Sequence, residues 1–309
     1  MRVTHQTLVR AALSDLGKSA AAMAKYQQQL SSGKRISVAS DDPFGTERAL
    51  GFRASISSLE QARRGISMSA NWLNATDSTL DTISEVLVRA RVLAVEGSSD
   101  ASGSDAATAM SAEAAQLLGS ALEAANTSSS GWYLFAGFQV DTPPFEGIDS
   151  GGNVTSDPAA VVSVVYNGDG GQIVRDVEPG VNMTINITGT DPWLDPAQDG
   201  SVFSTLADLR GALAANDTDA VRETIDRLDD LVSQCSRQRG IAGAKLQRIS
   251  LADDKLASMS IGLESLLSET EDADMAEAMV NFSQQEAVYN AALKVNSQIL
   301  PMSLLDYLQ

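Results

Sequence analysis

Residues 275–300, MAEAMVNFSQQEAVYNAALKVNSQIL, place Met275, Met279, Phe282, Glu286, Tyr289, Leu293, Asn296 and Leu300 at alternating steps of four and three. That is a heptad seam, the spacing with which one helix buries a narrow apolar stripe against another. The other end of the chain has its counterpart. Val9, Leu16, Met23 and Leu30 recur every seventh residue, with Leu13, Ala20 and Tyr26 at offset positions. Two stripes about 240 residues apart predict a chain that leaves a terminal helix pair, builds its domains and returns. The plainer alternative is two ordinary amphipathic helices packing on one globular core. Glu286 and Asn296 on the seam either fix register or partner number at a cost in stability, or mark a wet seam at a frayed end.

Working inward, residues 30–45 read LSSGKRISVASDDPFG. Gly33 suits the left-handed end of a helix. Ser40, Asp41 or Asp42 can cap the next helix, with Pro43 in its first turn. Residues 33–43 are therefore an extended elbow, in which Gly33, Arg35, Asp41, Asp42 and Pro43 are the candidate functional residues. The acidic run 268–274, SETEDAD, has Ser268 and Glu271 at capping-box spacing and predicts a second elbow opposite the first.

Between the elbows the chain is mostly helical. Leu50, Ile66, Leu73, Leu80, Ile83 and Leu87 mark a helix over about 44–96, a Gly/Ser/Asp turn follows, and an Ala-rich helix runs to about Ser128. The clustered aromatics of Trp132–Gly137 favour strand, and Thr142-Pro143-Pro144 closes that unit. Residues 161–166 and 182–187 read as strands, with Asn167–Gly171 as a hairpin signal before Gln172–Val174. Helix returns at 201–214. Asn216–Asp219 then launches one of roughly fifty residues, marked by Ile225, Leu228, Leu231, Ile241, Leu246, Ile249, Leu256 and Leu263.

The predicted fold is mainly α. It is an elongated antiparallel helical bundle with paired, coiled-coil-like N- and C-terminal helices and a small β insertion domain. The boundaries are 1–32 with 275–309 for the terminal pair and 33–43 with 268–274 for the elbows. The bundle with its aromatic hairpin takes 44–145 with 201–267, and the β-rich insertion takes 146–200.

Composition narrows the function. The chain has 309 residues, enough for two or three domains, and a net charge of -18. Residues 1–64 hold ten Lys/Arg against five Asp/Glu, so the remaining 245 carry -23. Such acidity excludes wrapping of nucleic acid. No apolar run reaches the roughly 18 residues needed to cross a bilayer, so no membrane insertion is expected. Residues 1–6 have no apolar core of a signal peptide. The one cysteine, Cys235, lies mid-helix and reads as a buried structural thiol. The one histidine, His5, is at the extreme N-terminus, which removes Cys–His and most Ser–His mechanisms.

The remaining chemical candidates are weak. Asn167–Gly171 lacks the ligand spacing of a calcium loop and reads as a turn. The carboxylates of Glu269–Glu277 sit where a helix N-terminus favours negative charge. No phosphate-binding loop, nucleophile elbow or dinucleotide turn is present. No catalytic, metal-ligating or cofactor-binding residue is therefore expected, and the residues point to an assembly protein whose terminal helices find partners outside the chain. An enzyme using carboxylates or a metal in the β insertion is the alternative from another class. It requires two carboxylates of residues 145–200 to converge in one pocket.

The stretch Leu30–Pro43 resembles the N-terminal signature of the bacterial flagellin superfamily. Gly131–Phe145 (GWYLFAGFQVDTPPF), Asp272–Ala278 and the closing Ser303–Leu308 resemble the hook-associated proteins of the hook–filament junction more than filament flagellin. Trp132 stands where an Arg is common in relatives. The resemblance covers both ends and the aromatic hairpin, and is less diagnostic over 146–200. It implies a non-enzymatic structural protein that forms a ring at the hook–filament junction. It also implies extracellular localisation after export without a cleaved signal peptide. The implied partners are the chain itself, the inner hook-associated junction protein, flagellin, a cytoplasmic export chaperone and the flagellar type III export apparatus. Val9, Leu16, Met23, Leu30, Met279, Phe282, Tyr289, Leu293 and Leu300 would then form the assembly seam. The alternative within the family is a small filament flagellin.

Overall fold

The structure, a computed structural model, describes residues 5–99, 103–178, 180–191 and 193–299. Its elements are α1 (His5–Ser32), α2 (Pro43–Gly97), α3 (Ser104–Ala125), β1 (Ser128–Ser129), β2 (Trp132–Tyr133), β3 (Phe145–Ile148), β4 (Ser163–Tyr166), β5 (Val174–Glu178), β6 (Val181–Thr184), α4 (Val202–Ala215), α5 (Thr218–Glu271) and α6 (Met275–Ile299). The chain is mainly α, and its strands pair as three separate antiparallel hairpins, β1–β2, β3–β4 and β5–β6.

Two compact units emerge, residues 1–59 with 258–309 and residues 60–257. The divisions fall inside α2 and α5, not at the elbows, because α2 begins at Pro43 and α5 runs unbroken to Glu271. The β-rich segment belongs to the second unit and forms no unit of its own.

In residues 60–257, α2 and α5 lie antiparallel. Arg63 donates from Nε to Asp253 at 2.8 Å, Arg239 pairs with Asp77 and Asp81, and Arg91 pairs with Asp229, so the partners run in opposite order. Between these charged flanks Leu73, Leu80, Ile83 and Leu87 of α2 meet Leu228, Leu231, Ile249 and Leu256 of α5, all buried. Cys235 is fully buried there, and its thiol donates to the Leu80 carbonyl at 3.1 Å. Burial pushes that thiol up to about 11, which keeps it protonated and inert. The sequence-based expectation of a structural thiol holds.

Helix α3 packs on α4 through small residues. Ala114 and Ala121 let the helices approach, with Leu118, Leu206, Leu209 and Leu213 filling the gap, while Gly119 makes room for Pro158. Ser201 caps α4 with its hydroxyl, and Asn216 ends it in the left-handed conformation at φ 53°. Asp217 then caps α5 by accepting from the amides of Asp219 and Ala220.

The β-rich segment departs from the predicted pairing. Val174–Glu178 pairs with Val181–Thr184, and Ser163–Tyr166 pairs with the unforeseen strand Phe145–Ile148. The loop Asn167–Gly171 therefore connects two hairpins instead of closing one. Its Asp169 Oδ1 accepts from the amides of Phe138 and Gly171 at 2.7 and 2.9 Å, and Tyr166 donates its hydroxyl to the Phe135 carbonyl at 2.9 Å. The loop is thus tied down onto the aromatic segment, which itself is strand only at Trp132–Tyr133 and turns thereafter. Phe145 stacks on Tyr166 and Phe203 with ring centroids 5.1 and 5.0 Å apart, and Val161, Leu194 and Phe203 are buried around them.

Candidate assembly interface

Residues 1–59 with 258–309 contain the elbows and the terminal pair. The first elbow is built as predicted, with one choice resolved. Gly33 ends α1 at φ 71°, its amide donating to the Gln29 carbonyl at 2.8 Å. Of the three capping candidates, Asp42 takes the position. Its Oδ1 accepts from the Gly45 amide at 2.9 Å, with Pro43 as the first helical residue. Gly45 is required there because a Cβ would lie 2.5 Å from Asp42 Oδ2 and 2.6 Å from Ile36 Cδ1. Asp41 instead folds back on the loop, accepting from the amides of Ser37 and Val38 at 3.2 Å each. The Ser37 and Val38 amides hold Asp41 below its usual range, and the Gly45 amide does the same for Asp42.

The second elbow differs from its prediction. Helix α5 extends through Ser268 to Glu271, so Ser268 is not a cap; its hydroxyl donates to Asp272 at 2.5 Å. The connection shortens to Asp272–Asp274, and Asp274 caps α6 by accepting from the amides of Ala276 and Glu277 at 2.9 and 3.1 Å. The two elbows are tied together backbone to backbone. Arg35 N–H donates to the Glu271 carbonyl at 2.7 Å, Ala273 N–H to the Gly33 carbonyl at 2.9 Å, and Lys34 bridges Asp272.

Side chains lock this tie. Arg35 donates to the Thr270 carbonyl at 2.7 Å and reaches Asp42 at 3.4 Å. Glu271, 4% exposed, receives Arg53 at 2.5 Å and also pairs with Lys34. A carboxylate this buried needs such partners, because desolvation disfavours an isolated charge. Glu271, Lys34 and Arg53 escaped sequence reading, since nothing in their spacing connects residues 53 and 271. The signal that existed was Glu271 in a run that was read as a cap.

Helices α1 and α6 pack on each other, as the seams predict, but α6 is rotated by about one residue. Its inner face is Ala278, Phe282, Gln285, Tyr289, Ala292 and Asn296. Phe282, Tyr289 and Asn296 belong to the predicted seam; Ala278, Gln285 and Ala292 replace Met279, Glu286 and Leu293. Two hydrogen bonds join the helices, and the one from Gln285, which lies off the predicted seam, favours the rotation. Gln285 donates to the buried Ser19 hydroxyl at 2.9 Å, and Asn296 donates to the Ala12 carbonyl at 3.4 Å. On α1, Val9, Leu16, Met23 and Leu30 are half-buried as expected, while Ala12, Ser19 and Tyr26 take the offset positions and Leu13 points out. Leu300 and the closing Ser303–Leu308 lie outside the described residues.

The rotation brings Ala278, Gln285 and Ala292 inside beside Phe282 and Tyr289 and turns Met279 and Leu293 outside. Met279 is 63% exposed and Val280 66%, and Met275, Val288, Leu293, Val295 and Leu13 are exposed with them. A helix apolar on several sides is one that several neighbours must cover. Among the described residues, no helix is long and apolar enough to cross a membrane. Cover by other protein helices is what this geometry offers.

Comparison with known proteins agrees with these features. Residues 3–140 match the bacterial flagellin N-terminal helical region, and residues 225–308 match the bacterial flagellin C-terminal helical region. The chain is 24% identical over 283 residues to flagellin of Listeria innocua, covering 92% of this chain and 90% of that one. It is 21% identical over 326 residues to flagellar hook-associated protein 3 of Salmonella typhimurium, covering 98% of each. Its fold matches the flagellar junction protein FlgL from Legionella pneumophila with a TM-score of 0.56 at 14% identity, over 72% of this chain and 100% of that one. The two matched regions contain both terminal helices, both elbows and all of the long helix α2, so this chain belongs to the bacterial flagellin family and is a structural component of the bacterial flagellum.

Proposed function

We propose that the chain forms a ring at the junction between hook and filament, on which flagellin polymerises, and is needed for motility. The observation that carries the reading is the outward apolar face of the α1–α6 pair. Met275, Met279, Val280, Val288, Leu293 and Val295 are exposed in the single chain and require neighbouring helices around them. The predicted seam residues Val9, Leu16, Met23, Leu30, Phe282 and Tyr289 hold the pair together, while Met279 and Leu293 meet the next subunit. The elbow residues Gly33, Arg35, Asp41, Asp42 and Pro43 set the direction in which the pair leaves the long helices. The role in this reading is structural, in keeping with the flagellar relatives.

The partners of this reading are the chain itself, an inner junction protein on the hook side and flagellin on the filament side. Before assembly it passes a cytoplasmic chaperone and the type III export apparatus, and ends outside the cell. The likeness to Listeria innocua flagellin supports a second reading, a small filament subunit. The aromatic segment Leu134–Phe145, which resembles the hook-associated proteins, favours the junction. Immunogold labelling of isolated hook–filament structures separates the two. Gold confined to one band between hook and filament is the expected result; gold along the filament would assign the chain to the filament.

A further inference from the structure

We infer that residues 60–257 contain a binding site for a small zwitterion, an α-amino acid with a short side chain, in a polar cavity of about 200 Å³ that the assembly role does not use. The cavity lies between the two long helices and the segments flanking the β5–β6 hairpin. Leu73 comes from α2, and Gln238, Ile241 and Lys245 come from α5; Gln172 precedes β5 and Asp191 follows β6. The volume lies below the roughly 300–1,000 Å³ of sites for drug-sized ligands, so the occupant is small.

Two charges set the chemistry. Lys245 and Asp191 are the charged residues of the lining, one of each sign and from different elements. Both are half-buried, yet among the described residues neither side chain forms an ion pair or a hydrogen bond. The other half-buried cations, Arg63, Arg210, Arg227 and Arg239, all have carboxylate or carbonyl partners. Exposed cations without partners keep their hydration instead. Burial raises Asp191 and lowers Lys245, and the opposite charge of each offsets the other only in part. Asp253 and Arg239, whose partners are in contact, shift the other way. Lys245 and Asp191 are thus short of both water and partners. The wall beside them is fixed: Asn186 accepts from the Ile173 amide and donates to the Gly171 carbonyl, both at 2.8 Å. Leu73 and Ile241 add apolar surface, and Gln172 and Gln238 add amides. An amino acid satisfies both charges at once, its carboxylate accepting from Lys245 and its ammonium donating to Asp191. A simple anion or a simple cation leaves one of them unpaired.

L-Alanine is the probe, titrated into the ¹⁵N-labelled full chain, with acetate and methylammonium as controls that carry one of its charges each. The Ala242 backbone amide and the Gln172 and Gln238 side-chain amides report from the lining. L-Alanine should shift them saturably. Either control should bind about tenfold more weakly, the worth of one charge-assisted hydrogen bond. Lys245→Met and Asp191→Asn should each weaken L-alanine by a similar factor, with unchanged backbone resonances in α3 and α4 verifying the fold. The controls use the native chain, so their comparison stands whatever the variants do. Lining resonances unmoved at tens of millimolar L-alanine overturn the site. So does equal binding of acetate and L-alanine, or binding that survives both substitutions.

Discussion

In α2 and α5 the large aliphatic side chains turn toward one another, and Leu80, Ile83, Leu87 and Leu228 are all completely buried. In α1 and α6 only some of them do: Leu13, Met279 and Leu293 face outward, and the pair closes on Ala12, Ser19, Ala278, Gln285 and Ala292 with the half-buried Val9, Leu16, Met23, Leu30, Phe282 and Tyr289. Both regions are antiparallel helices from distant parts of the chain. The bundle buries a continuous central stripe within one molecule, although Val88, Val95, Ile241 and Leu251 stay exposed on its flanks. The terminal pair leaves Met279, Val280 and Val295 open, the surface proposed to meet neighbours, and the bond of Gln285 to Ser19 favours that face.

The contrast has energetic consequences, the largest first. Leu87→Ala should cost about 2–5 kcal/mol, as truncation of a fully buried Leu does. Leu293→Ala should stay within about 0.5 kcal/mol in the free chain, as at most surface sites. Urea unfolding followed by circular dichroism compares the two directly. Equal costs would erase the distinction between the regions.

A smaller effect belongs to the elbow. Glu271→Gln keeps the size of the side chain but removes the charge that Arg53 and Lys34 share. A loss of about 2 kcal/mol is expected, the scale of hydrogen bonds to a charged group. Amide exchange at Arg35 and Ala273 should quicken with it, because their bonds tie the two elbows. Unchanged exchange would show that backbone geometry alone holds the connection.

Smaller again is the contribution of Cys235. Cys235→Ala should cost about 1 kcal/mol at neutral pH, a short truncation in the bundle core. The thiol's folded value of about 11 lies above its ordinary 9.0. The stability from keeping it protonated is therefore complete below pH 9 and is lost as pH rises toward 11. The stability difference between the native chain and the Ala variant should shrink across that window. A difference that grows there would mean the thiolate is favoured in the fold.

How much of this was legible in the sequence follows the range of the interactions. Long helices were, and so were the breaks at Gly33, Pro43 and Asp217, which act on backbone within a few residues, although the end of α5 was placed too early. The pairing of the terminal helices was too, since Val9, Leu16, Met23 and Leu30 repeat with one period. The rotation of α6 was not. Hydrophobic spacing prefers Met279 and Leu293 inside, and the hydrogen bond of Gln285 to Ser19 favours the other order. Strand pairing failed for a similar reason. Asn167–Gly171 has the composition of a tight turn, but Asp169 and Tyr166 bond to a segment some thirty residues earlier, and no local pattern records that. Glu271 was hidden because its partner Arg53 is 218 positions away.

The most direct test of the outward face is Met279→Asp. Met279 is 63% exposed, so a charge there remains in water in the free chain. Melting temperature and helicity of the purified variant should match the native chain, and export should continue. Assembly should fail, leaving hooks without filaments and flagellin in the medium, because a carboxylate buried between subunits without a partner costs several kcal/mol. Normal filaments from Met279→Asp cells would contradict the claim that this face is covered by neighbours, and an early-melting free chain would show that the residue serves the monomer instead.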